Sequence, residues 1–185
     1  VPIVGDPDLI DLIVNQYPAI RELALKGSEA AGFVSSETLF TLYAALRAKT
    51  ADRQERPDLY VWGGIATPDA AAAFLAAGAR GIVFESVHWL TDLAGLTDEL
   101  RKRLANIRPD HTDLIGLNLG VPCRLFNKGN STAVKELKEF AGSLCGGEIR
   151  DEQKRFFAQR IRNESVSPLS AKFARNELIP LGIEA

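Results

Sequence analysis

Two adjacent glycines, Gly63-Gly64, followed by Thr67-Pro68-Asp69, have the makings of an anion site. A glycine turn leaves main-chain N–H groups uncovered, and a helix starting after Thr67 adds its own free N–H groups and positive dipole end, which suits a phosphate. Any crossover between parallel strands needs the same residues, so this pair alone speaks for topology as readily as for a ligand. Lys26 and Glu29 come next, because they follow the apolar run Leu23-Ala24-Leu25 at a strand end, where barrel enzymes keep functional groups. They could contact a substrate or form a structural ion pair. His88, beside Trp89, reads as a packed or surface residue, and His111, after Pro109-Asp110, as an exposed loop residue. Ser28 lacks the Gly-x-Ser-x-Gly elbow of a nucleophilic serine. Cys123 and Cys145 lack Cys-x-x-Cys metal spacing and read as buried small hydrophobes.

The elements that must position these groups follow from the pattern. Leu59 to Trp62 is a short apolar run suited to a strand buried on both faces, and Thr67, Pro68 and Asp69 are an N-cap, an N1 proline and a first-turn acid. Gly78 ends that helix, and Gly81-Ile82-Val83-Phe84 reads as the next parallel strand. Upstream, Val1 to Val4 predicts a strand and Asp8 to Gln16 a helix capped by Asp6. Ser35 or Ser36 is expected to cap a helix that turns Leu39, Leu42, Tyr43 and Leu46 toward the sheet. After Glu85 the β/α rhythm is lost. Thr91 or Thr97 can start helices through Leu104, and the runs 114–120 and 123–126 are strand-like but broken by glycines and Pro122. Helices are predicted from Lys135 to Leu144, from Asp151 to Arg162 with Phe156, Phe157 and Ile161 buried, and from Ser167-Pro168. Asn127 to Ser131 has turn composition and supplies a cap for the helix after it.

Two of these segments carry a family resemblance. Gly27-Ser28-Glu29-Ala30-Ala31-Gly32 and Gly63-Gly64-Ile65-Ala66 resemble the Gly-x-Glu-Ala-Gly-Gly-His and Gly-Gly-Ile-Ala patterns of flavin-dependent nitronate monooxygenases, also called 2-nitropropane dioxygenases, and of their enoyl reductase relatives. The stretch from Cys123 to Ser131 and the run Asn176-Glu-Leu-Ile-Pro-Leu-Gly182 are similar to degenerate members built into polyketide and polyunsaturated fatty acid synthases. The resemblance implies an α/β fold, a partial or truncated TIM-type (β/α) barrel with a mostly helical C-terminal region. The loss of β/α rhythm after Glu85 divides the chain into a β/α-barrel-like segment over 1–95 and a mostly helical extension or cap over 96–185. The resemblance also implies FMN on Gly32, Gly63, Gly64 and Ser86, and an acyl thioester or nitronate-like substrate near Lys26 and Glu29. The partners it implies are other synthase domains, an acyl carrier domain among them.

Two departures cut against that chemistry. Phe33 stands where the family places the histidine of proton transfer, and a phenyl ring can neither give nor take a proton. Glu85 stands where the family has a small glycine beside the phosphate, and a carboxylate aimed at a phosphate repels it. The expected alternative is a catalytically inactive barrel that serves as a scaffold or interaction module.

Composition sets the outer bounds. With 185 residues, 46% hydrophobic and 25% charged, the chain can bury a core, yet a full (β/α)₈ barrel needs about 250 residues. The absence of methionine and the strand-like opening suggest a segment cut from a larger synthase. A net charge of −2 gives no electrostatic case for nucleic acid, and Arg101-Lys102-Arg103 beside Asp98-Glu99 reads as a solvated helix face. No apolar run reaches the roughly 20 residues of a membrane span, and no signal peptide is visible, so a cytoplasmic setting is expected.

Overall fold

The computed structural model describes residues 1–17, 19–52, 56–85, 87–128, 131–145 and 147–183. Its first half is a parallel sheet built by successive β/α units. Strands β1 (Ile3–Val4), β2 (Glu22–Lys26), β4 (Asp58–Trp62) and β5 (Gly81–Val83) pair in the order β1-β2-β4-β5. The pairing is parallel throughout, with Leu25 opposite both Val4 and Val61, and Trp62 opposite Val83.

Helices α1 (Pro7–Gln16), α2 (Leu39–Lys49) and α3 (Pro68–Ala76) connect the strands. Each start has a side-chain cap: Asp6 accepts from Asp8 N–H, Thr38 from Thr41 N–H, and Thr67 from Ala70 N–H. The cap of α2 is therefore Thr38. Ser35, expected in that role, instead accepts from Glu37 N–H two residues on, because the chain is still in its turn there. Alternation in the strands sends Leu23, Leu25, Leu59 and Val61 to one face, where they pack with Leu39, Leu42, Tyr43 and Leu46 of α2. By the register, Ala24 and Tyr60, then Lys26, Trp62 and Val83, share the opposite face.

A second sheet, of a different kind, joins two strands of the second half to one from the first. Strands β3 (Gly32–Phe33), β6 (Thr112–Ile115) and β7 (Cys123–Phe126) form an antiparallel sheet in the order β3-β7-β6. Helix α4 (Asp98–Ala105) lies beside the 3₁₀ segment Val87–Leu90, while α5 (Thr132–Ser143) and α6 (Asp151–Glu164) pack on the sheet; Thr97 and Ser131 cap α4 and α5. Val134, Leu137, Phe157 and Ile161 close over Cys123 and Leu125. The tail lies along β7, with Phe126 N–H donating to Ile179 O at 2.8 Å, and Leu178, Ile179 and Leu181 are buried.

Several expectations give way here. Phe156 is exposed because α6 turns Phe157 and Ile161 inward, and one helix face cannot hold adjacent residues. Cys145 is exposed just past the end of α5, whereas Cys123 is buried in a central strand. Residues 168–170 form a turn instead of a helix, with Ser170 N–H donating to Ser167 O at 3.0 Å. His111 is buried, because the 3₁₀ turn Pro109–His111 folds its ring back so that Nδ1 accepts from Arg108 N–H at 3.1 Å.

Candidate functional site

The carboxyl ends of β2 and β4 meet at a loop, residues 27–31, that both sheets grip. From the parallel sheet, Gly27 N–H donates to Trp62 O at 3.0 Å, and Gly63 lies so close to Ala30 that a Cβ there would sit 3.0 Å from Ala30 N. Gly63 (φ +122°) and Gly64 (φ +68°) adopt backbone that glycine alone takes without strain. From the antiparallel sheet, buried Arg124 donates from Nε to Ser28 O at 2.6 Å and from a terminal nitrogen to Thr112 Oγ1 at 3.1 Å. Gly32 (φ +68°) then carries the chain into β3. The expected glycines thus gather at one rim of the fold, within the reach of a single loop.

The charges at this rim are already engaged. Glu85, just beyond β5, accepts the Ala31 N–H on Oε2 at 2.7 Å. Glu29 turns the other way, with Oε2 accepting Leu39 N–H at 3.0 Å, so that its charge meets the positive end of α2. The tail completes the closure: Ile183 N–H donates to Glu29 O at 2.6 Å, and a Cβ added to Gly182 would lie 2.8 Å from that oxygen and 2.9 Å from Glu85 Oε2. Cβ and Cγ of Glu29 shadow Gly64 as well. An FMN phosphate would need the N–H groups of this rim, and it reaches the Ala31 N–H only after Glu85 leaves it. Ser86, the fourth expected cofactor contact, lies outside the described residues.

Lys26 stands apart from Glu29. Its Nζ donates to Ala31 O at 2.8 Å and lies 4.3 Å from the centre of the Trp62 ring. Burial pulls its pKa below the ordinary lysine value, against the opposing pull of the Glu85 and Cys123 charges. Burial likewise pushes the Cys123 thiol up to about 12, with Lys26 pulling the other way. Lys26, Phe33 and Val34 also line a groove of about 440 Å³ at the strand ends, walled by Ile3, Leu9, Leu117 and Pro122. His88 is exposed and meets Trp89 edge-on, away from this groove. Among the described residues no group of three His, Cys, Asp or Glu side chains could hold a metal ion, and no helix is long and apolar enough to cross a membrane.

Arg124 was the residue that sequence reasoning passed over. The only local sign was a charge inside the apolar run Cys123-Arg-Leu-Phe126, which on a buried strand demands a partner. Its partners lie 96 and 12 residues away in the chain, so the sign could not name them.

No family model and no curated protein matches the chain. Solved structures do. FabK from Thermotoga maritima superposes with a TM-score of 0.63 at 16% identity, over 88% of this chain and 46% of that one. The enoyl reductase domain of MlnA, from the macrolactin biosynthesis cluster of Bacillus amyloliquefaciens, matches with a TM-score of 0.55 at 11% identity, over 96% of this chain and 55% of that one. These are TIM-barrel proteins, and the chain spans about half the length of each. The fold is therefore α/β, a partial (β/α) barrel.

Proposed function

We propose that the chain is an enoyl-reductase-like barrel domain of a multidomain polyketide or fatty acid synthase, kept as a scaffold and contact surface and not as an FMN oxidoreductase. One observation carries this reading: the chain's own Glu85 carboxylate takes the Ala31 N–H at the glycine rim. A dianionic phosphate beside that carboxylate meets repulsion instead of a free donor. Phe33 supports the same conclusion, since no proton can pass through it. The synthase setting draws on the sequence resemblance and on the biosynthetic origin of the MlnA domain. Its partners are then neighbouring synthase domains, an acyl carrier domain among them.

A second reading has its own support. The groove beside Phe33 lies at the carboxyl ends of parallel strands, where barrel enzymes bind ligands, and its apolar walls suit a ring or an acyl chain. In that reading the domain is an FMN-dependent oxidoreductase acting on an acyl thioester or a nitronate-like substrate. The flavin would supply hydride transfer when bound, while Gly32, Gly63 and Gly64 would offer main-chain donors and Lys26 would face the substrate.

Visible absorption separates the two. The purified chain is expected to be colourless and to leave the fluorescence of added FMN unchanged. A yellow protein, or saturable one-to-one quenching, overturns the scaffold reading. Glu85→Ala releases the Ala31 N–H and is the variant in which FMN binding should first be detected.

A further inference from the structure

Lys26 differs from the other lysines in where its stem runs. It leaves the last residue of β2 on the sheet face opposite α1 to α3, beside Trp62 of the neighbouring strand. The chain also exposes it to a space: Lys26 is half-buried and lines the 440 Å³ groove, whose other walls include the side chains of Ile3, Leu9, Phe33 and Leu117. That groove can hold an apolar chain of several carbons; among the described residues that line it Lys26 is the one lysine, and Asp6 and Ser36 are the other polar side chains.

We propose that Lys26 is a covalent anchor for aldehydes and ketones that carry an apolar tail, forming a reversible imine while the tail lies in the groove. The nitrogen lone pair forms a bond to the carbonyl carbon, and the carbonyl π pair moves to oxygen, which takes up a proton as the nitrogen gives one up. The carbinolamine hydroxyl then takes a proton from bulk solvent and leaves as water, while the nitrogen lone pair forms the C=N π bond and gives the protonated imine. Nothing is oxidised or reduced, and no further reactant is needed.

The surroundings suit each end of that reaction. Before attack the amine must be neutral, and burial works in that direction, lowering the pKa although Glu85 and Cys123 pull it upward. Afterwards the protonated imine carries the same positive charge and keeps one N–H. The face of Trp62 and the carbonyl of Ala31, which now hold the ammonium at 4.3 and 2.8 Å, can hold the iminium in the same way. Lys135, by contrast, is exposed to solvent, with Glu139 as a surface partner at 3.7 Å. This assignment goes beyond the scaffold reading and depends on neither FMN nor its absence.

The test uses the unaltered chain. It is incubated near neutral pH with hexanal or, in parallel, with acetaldehyde, in the presence of sodium cyanoborohydride to trap imines. Labelling is stopped early, and peptide mass spectrometry compares Lys26 with the exposed Lys102, Lys135 and Lys172. With hexanal, Lys26 should be labelled about tenfold faster than these, the factor that burying roughly two methylenes of the tail in the groove supplies. With acetaldehyde, which has no tail to seat, the preference should shrink severalfold. Labelling of Lys26 at or below the rate of the exposed lysines overturns the proposal, and an equal preference with both aldehydes overturns the part assigned to the groove.

Discussion

The parallel sheet and the antiparallel sheet of this molecule are assembled under different rules. In the first, each strand meets the next after one helix, and β2, β4 and β5 follow one another in space as in sequence. Local signals suffice there: a cap, a proline at N1, a glycine at the end, an alternating run. In the second, β7 stands between β6 and a two-residue strand from some 90 residues upstream, and the tail adds a further edge. The candidate site forms where these two regions touch, at the 27–31 loop. A ligand site on this fold is therefore a property of the seam, and the residues that close the seam control it.

Arg124 is the most direct way to break that seam. Replacing it with methionine keeps the stem but removes the donors to Ser28 O and Thr112 Oγ1, and leaves a buried carbonyl unpaired. The loss should be about 3 kcal/mol, since hydrogen bonds from charged groups in buried sites are worth more than neutral ones. Urea denaturation should show that loss, and amide exchange at Ala30 and Ala31 should quicken more than exchange at Leu25. If the two rise equally, the loop is held by the parallel sheet alone.

Alkaline pH probes the second region from inside. The folded Cys123 thiol has its pKa raised to about 12 from 9.0, so between these values the folded chain holds a proton that the unfolded chain has lost. Stability contributed by the neutral thiol is full below pH 9 and falls as pH rises, by at most about 1.4 kcal/mol per unit. Lys26 contributes with the opposite sign, because its folded pKa is lowered, and Cys123 is one of the groups acting on it, so the chain with and without Cys123→Ala is compared in a Lys26→Met background. Stability curves measured from about pH 8 to about pH 10.5 should therefore converge as pH rises, since the variant lacks the thiol's penalty. Parallel curves would show that the thiol is not shielded.

The smallest effect belongs to the first region. Thr67→Ala removes the hydroxyl that accepts Ala70 N–H at 3.2 Å and should cost about 1 kcal/mol, read as a lower midpoint in urea. The exposed loss should remain local, with amide exchange faster in the first turn of α3 and unchanged at β7. A change that spreads to β7 would mean that the two regions fold as one cooperative unit.

Much of the fold was legible because its signals are short-range. Thr67, Pro68 and Gly78 framed α3, Leu23 to Leu25 marked β2, and the stripe from Leu39 to Leu46 declared which face of α2 is buried. The candidate site was legible only as a set of residues. Gly63 and Gly64 were singled out for their turn and Gly32 through the family resemblance, and all three adopt positive φ. What fills the space beside them was not readable, because the Ala31 N–H is met by a carboxylate 54 residues away and Glu29 O by an amide near the other end of the chain. Cys145 was misjudged because exposure depends on what arrives from elsewhere, and His111 because its own 3₁₀ turn folds the ring back onto Arg108 N–H.

By itself the sequence determined where β2, β4, α1 and α3 lie in the first half, which face of α2 is apolar, and that glycine turns follow two of the strands. Those are consequences of steric limits and hydrogen-bond needs within a dozen residues. Only the tertiary structure decided that Gly32-Phe33 joins an antiparallel sheet, that Arg124 ties the loop to that sheet, and that Glu85 occupies the rim. Such pairings are won by whichever distant group satisfies a buried donor or acceptor, and chain position carries no record of that competition.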